Sequence, residues 1–156
     1  MTLALAKYLR VTLFFLPILL LLASNNSAAA SNCDQTPTQA SAALYERMSA
    51  RDLAGVLQLI AEQGFSETGT EGSVVHQLDR KAFETLFKTD LSIKLRAENL
   101  RAQQIGDMAI VTGIRIGAIT ASNVTPKLSQ QVFTMIWVKD QDHCDWKLRH
   151  LHLSPN

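Results

Sequence analysis

The sequence predicts a small α+β domain, with N-terminal helices packed on a strongly curved, mostly antiparallel sheet around a central pocket. Three observations carry this. Helix caps and three-four apolar spacing crowd the stretch 36–64, period-two alternation begins at Leu91, and 131–154 reads as two alternating strands around a polar turn. Helices first and long strands afterwards argue for segregated layers rather than alternating β-α units.

The first thirty residues belong to a different class. Lys7 and Arg10 precede an apolar run, Val11 to Ala23, and Ala28-Ala29-Ala30 offers small residues for cleavage. A signal peptide over 1–30 and a single domain over 31–156 are expected, with the product periplasmic or secreted. A retained anchor is the alternative, although the run is shorter than the roughly 20 residues a spanning helix needs. Cleavage leaves 13 basic against 14 acidic residues. So balanced a charge recruits neither nucleic acid nor an acidic membrane surface. Cys33 and Cys144 would then meet in an oxidising compartment, where a disulfide is expected; two thiols are the alternative, if the frayed terminus does not reach the turn.

In chain order, Thr36-Pro37-Thr38-Gln39 is a capping box with proline at the first helical position, and Ala40, Ala43, Leu44 and Met48 form the apolar stripe behind it. Asp52 caps a second helix, with Gly64 as its stop. FSET and SVVHQ read as a short strand pair, and Asp79 caps a third helix burying Phe83, Leu86 and Phe87. Leu91 to Ala97 alternates, and at Asn99 the phase flips, which predicts a bulge in a long bent strand. After a tight turn at Gly106-Asp107, the strand Met108 to Ile119 carries one bulky face and one nearly bare, of Ala109, Val111, Gly113, Arg115 and Gly117. The bare face is expected to be concave, with space left beside its glycines. Phe133, Met135 and Trp137 alternate with Val132, Thr134, Ile136 and Val138, so both faces of this strand are apolar. The second face needs a cover, and a sheet-to-sheet homodimer is the economical one.

The element order, together with Gln104-Ile105-Gly106-Asp107-Met108-Ala109, Gly113-Ile114-Arg115-Ile116, Ser129-Gln130-Gln131, Phe133-Thr134, Trp137 and Trp146-Lys147-Leu148-Arg149-His150-Leu151-His152-Leu153-Ser154, resembles the nuclear transport factor 2-like superfamily of cone-shaped α+β folds. It is most similar to the group holding the polyketide cyclase (SnoaL-like) domains and the association domain of calcium/calmodulin-dependent protein kinase II. The resemblance implies that Arg115 lines a deep pocket able to hold carboxylates, that Met135 replaces a second pocket arginine, and that the tryptophan, two histidines and serine of the tail are Trp146, His150, His152 and Ser154. Ketosteroid isomerase relatives place a catalytic aspartate near Thr68, where Glu67 stands beside it, and use helix tyrosines of the kind Tyr45 would supply.

Arg115 is the strongest single candidate, because a guanidinium on an otherwise bare apolar face binds a carboxylate through two parallel hydrogen bonds. A salt bridge to Glu67 or Glu98 is the alternative. His150 and His152 share one strand face, yet zinc needs a third protein ligand that no motif supplies. No metal or cofactor is expected. The expected ligand pocket comprises Arg115, Tyr45, Met135, Trp137, His150, His152 and Glu67, with no catalytic residue assigned. The reading is an exported domain that binds a small organic carboxylate or a protein partner. An acid–base lyase, isomerase or cyclase using Glu67, Tyr45 or His150, and a pure oligomerisation module, are the alternatives.

Overall fold

The computed structural model describes residues 34–69, 74–140, 142 and 144–155. The expected signal peptide and Cys33, and with it the expected disulfide, lie outside the described residues. Cys144 is half-buried in the turn that precedes the final strand.

Local signals act where the sequence places them. Thr36 accepts the Gln39 N–H at 3.2 Å while the Gln39 side chain accepts the Thr36 N–H at 2.8 Å, opening α1 (Pro37–Ala50). Arg51 ends it in the left-handed region at φ 56°. Its guanidinium donates to the carbonyls of Phe87 at 2.7 Å, Thr89 at 2.9 Å and Leu91. Asp52 caps α2 (Leu53–Leu59) through the Gly55 N–H at 2.9 Å. That helix stops before Gly64, because Ile60 turns extended and bridges in parallel to Leu148. Gly64, at φ 79°, instead closes the following turn with an N–H bond to Ala61 O at 2.8 Å. The strands β1 (Phe65–Thr68) and β2 (Val75–Leu78) pair antiparallel, and Asp79 caps α3 (Arg80–Lys88).

Four long strands complete the sheet: β3 (Leu91–Ile105), β4 (Met108–Ala121), β5 (Ser129–Lys139) and β6 (Trp146–Pro155). The order is β2-β1-β6-β5-β4-β3, antiparallel throughout except that β1 lies parallel to β6. The bulge falls where the phase flip puts it: pairing with β4 slips between Glu98 and Arg101, with Asn99 at φ 55°. A second slip, between Ile136 and Trp137 of β5, inverts the phase of β6. Trp146 and Leu148 point inward before it, and Leu151 and Leu153 after it.

The core lies between the helices and the inner sheet face. Leu44, Tyr45, Val56 and Phe83 meet Ala109, Val111, Phe133, Met135, Trp137 and Leu148, all buried. At Gly113 the expected free space is absent. A Cβ there would sit 2.8 Å from the Phe133 ring and 2.9 Å from Leu100, so the neighbouring strands already fill the gap. Gly117 has a different need: at φ 135° a Cβ there would collide with the Lys94 carbonyl oxygen, which leaves no room for any side chain. The outer face carries Met108, Ile110, Ile114, Val132, Ile136 and Val138 in register around Thr112 and Thr134, and Met108 and Val132 are each 43% exposed.

Candidate functional site

Three polar side chains converge on the inner face. Tyr45 descends from α1 and is buried to 1% exposure, its ring edge-on to Phe133 at 5.6 Å between centroids. Glu67 shares the inward phase of buried Phe65 on β1 and registers against Leu151. Arg115 follows Ala109, Val111 and Gly113 along the inward phase of β4 and registers against Gln131. The two charged residues are three strands and two inward positions apart, with Phe133, Leu153, Met135 and Leu151 as the floor between them.

Their partners are incomplete. Arg115 donates to the Gln131 side-chain oxygen. Among the described residues it forms no ion pair within 4.0 Å with Glu67 or Glu98; Glu98 is engaged by Arg96 at 2.8 Å. The Tyr45 hydroxyl is buried without a hydrogen-bond partner among the described residues. A planar guanidinium held by one amide oxygen keeps N–H groups to spare, and an unpartnered buried hydroxyl costs about 1–3 kcal/mol.

The three groups nevertheless feel one another. Burial pushes the Glu67 carboxyl above the usual carboxylate range, an effect Arg115 and then His76 partly offset. Burial also raises the Tyr45 hydroxyl far above its ordinary value, with Arg115 opposing and Glu67 adding to the shift. Tyr45 is therefore a neutral donor at any ordinary pH. His76, on β2 directly opposite Glu67, stands exposed at the rim.

The remaining expected pocket residues divide. Met135 and Trp137 are fully buried on the inner face, and the Trp137 indole N–H finds no acceptor among the described residues. His150 and His152 share a face, as their spacing requires, but it is the outer one. They register against Ile136 and Thr134, because the slip in β5–β6 pairing turned β6 over. His150 Nδ1 meets Ser66 Oγ at 2.8 Å, and His152 Nε2 meets Ser154 Oγ at 2.8 Å. The pocket therefore does not gather these histidines. Among the described residues no group of three His, Cys, Asp or Glu could hold a metal ion.

Gln131 and His76 are absent from the expected pocket. For Gln131 a signal existed: it is the polar member of the inward series 131, 133, 135, 137. Two surface clefts, about 480 Å³ along α1 at Gln39 and Glu46 and about 200 Å³ at Ser49, Lys94, Ile116 and Leu128, include none of the three converging groups.

Residues 38–156 match the family model of the SnoaL-like domain. No curated protein matches the chain by sequence. Among solved structures, a nuclear transport factor 2-like protein of unknown function in nutrient uptake from Rhodospirillum rubrum is 20% identical with a TM-score of 0.65, over 78% of this chain and 99% of that one. The CaMKII hub of S. rosetta is 21% identical with a TM-score of 0.60, over 77% and 97%. A candidate ketosteroid isomerase from Shewanella frigidimarina is 20% identical with a TM-score of 0.56, over 79% and 98%. At such identities the likeness is one of fold.

Proposed function

The chain belongs to the SnoaL-like domain family, within the nuclear transport factor 2-like fold, and from that premise we propose that it is an exported domain that binds a small organic carboxylate at Arg115 on the inner sheet face. The observation that carries the reading is the incomplete pairing of Arg115: a guanidinium aimed inward, held at one edge by Gln131 and without a carboxylate at ion-pair distance among the described residues. Such a group binds a carboxylate with geometry as well as charge. Isothermal titration calorimetry with a panel of small carboxylates and their amides tests it. Arg115→Ala is expected to weaken carboxylate binding at least tenfold, with an unchanged circular dichroism spectrum. Equal affinity in the variant sinks the reading.

One observation favours a second reading. The raised Glu67 carboxyl beside a neutral buried tyrosine is the kind of pair that moves a proton to and from a bound substrate. Acid–base turnover of a carbonyl compound, abolished by Glu67→Gln, would place the protein among enzymes instead. In either case the outer face supports a homodimer, in keeping with the association-domain folds among its structural neighbours. The basic start and apolar run of the first thirty residues support a periplasmic or secreted location.

A further inference from the structure

We propose that the ligand is zwitterionic: a short amino-carboxylate whose carboxylate is held by Arg115 and Tyr45, and whose ammonium group is held by Glu67. The proposal rests on the ligand-binding reading above and narrows its chemical class.

The site brings its own pair of opposite charges and keeps them apart. Arg115 and Glu67 stand on the same inner face, yet no ion pair within 4.0 Å joins them. Their backbones are offset by roughly 13 Å along the strands and roughly 14 Å across them. Long side chains and sheet curvature close much of that distance, since the Arg115 guanidinium acts on the Glu67 carboxyl and both charges act on the Tyr45 hydroxyl. The floor between them is apolar, of Phe133, Leu153, Met135 and Leu151. Two separated charges with a greasy floor match a molecule with two charged ends and a short methylene spacer.

Other ligand classes fit less well. A simple carboxylate on Arg115 would place a second anion in the space Glu67 faces, and a desolvated carboxylate beside another must take up a proton or push the ligand out. A simple amine would satisfy Glu67 and leave Arg115 with only Gln131. A neutral ligand would leave two half-buried charges without counter-ions, Arg115 held by Gln131 alone and Glu67 with no cation at ion-pair distance among the described residues. A zwitterion partners both ions, and the Tyr45 hydroxyl, a buried donor without an acceptor, gains one in the ligand carboxylate.

Titration calorimetry on the full chain with two matched series decides the matter: glycine, β-alanine, 4-aminobutanoate and 5-aminopentanoate against acetate, propanoate, butanoate and pentanoate. At least one amino acid is expected to bind tenfold or more tightly than the unaminated acid of equal length. Glu67→Gln is expected to erase that preference and keep carboxylate binding, whereas Arg115→Ala loses both. Equal or tighter binding of the plain acids overturns the zwitterion and leaves the carboxylate reading standing. Binding of neither series overturns both. The comparison between ligands in the unmodified chain decides even where a variant fails to fold.

Discussion

Glu67 ionises against its surroundings, since burial penalises the carboxylate more than Arg115 and His76 favour it. A carboxyl raised above its ordinary 4.5 holds a proton in the folded state that the unfolded chain has already released. The resulting penalty is absent below the unfolded value, grows as pH rises through the window between the two, and is complete above the folded value. Glu67→Gln is therefore expected to raise the thermal midpoint at about pH 7 and to leave it unchanged at about pH 3, as differential scanning calorimetry across that range would show. A lower midpoint at neutral pH would contradict the burial. The same variant separates stability from recognition, because it removes the buried charge and keeps the side-chain shape.

At the scale of elements, one arginine joins three of them. Arg51 closes α1, and its guanidinium takes the carbonyls of Phe87, Thr89 and Leu91, at the end of α3, the following link and the start of β3. Arg51→Ala is expected to cost about 2–3 kcal/mol in urea denaturation, with an unchanged m-value, since charge-assisted hydrogen bonds to partly buried carbonyls are lost together. A loss below about 0.5 kcal/mol would mean that water replaces the guanidinium. The elements themselves were legible in the sequence because their signals are local: Thr36 and Gln39 cap each other, and Asn99 marks the bulge by reversing the alternation around it. Non-local features were not legible. The extra residue that inverts β6 is marked only by two successive polar residues, Arg149 and His150, between the inward pairs Trp146, Leu148 and Leu151, Leu153, a local break whose meaning depends on the pairing with β5. Hence the histidines were expected beside the pocket and stand on the far side of the sheet. Gly113 read as empty space because sequence cannot show that Phe133, twenty residues away, folds its ring over it. Arg115, Glu67 and Tyr45 were each readable as candidates, one by one. Their convergence depends on the register of β1 against β6, which no local signal encodes.

For the whole molecule, the outer face decides whether it works alone. Ile110, Ile114, Val132 and Ile136 form an apolar surface at the centre of the sheet, with the Ser66–His150 and His152–Ser154 pairs as a polar margin. Burying such a surface in a second copy is expected to give a dimer at micromolar concentration. Ile136→Glu, at the centre of that face, is expected to yield a monomer in sedimentation velocity with an unchanged circular dichroism spectrum. An unaltered mass would move the interface elsewhere. The polar cluster lies on the opposite, inner phase of the sheet, so dimerisation and ligand binding are expected to vary independently in these variants.

The place of β6 in the sheet has a consequence for how the chain is made. It is the last of the six sheet strands in chain order, yet it lies third in the sheet, between β1 and β5. Without it the β1–β2 hairpin has no strand to join and one edge of β5 is unpaired. The six-stranded sheet can therefore be completed only after the last of its strands in chain order has been made.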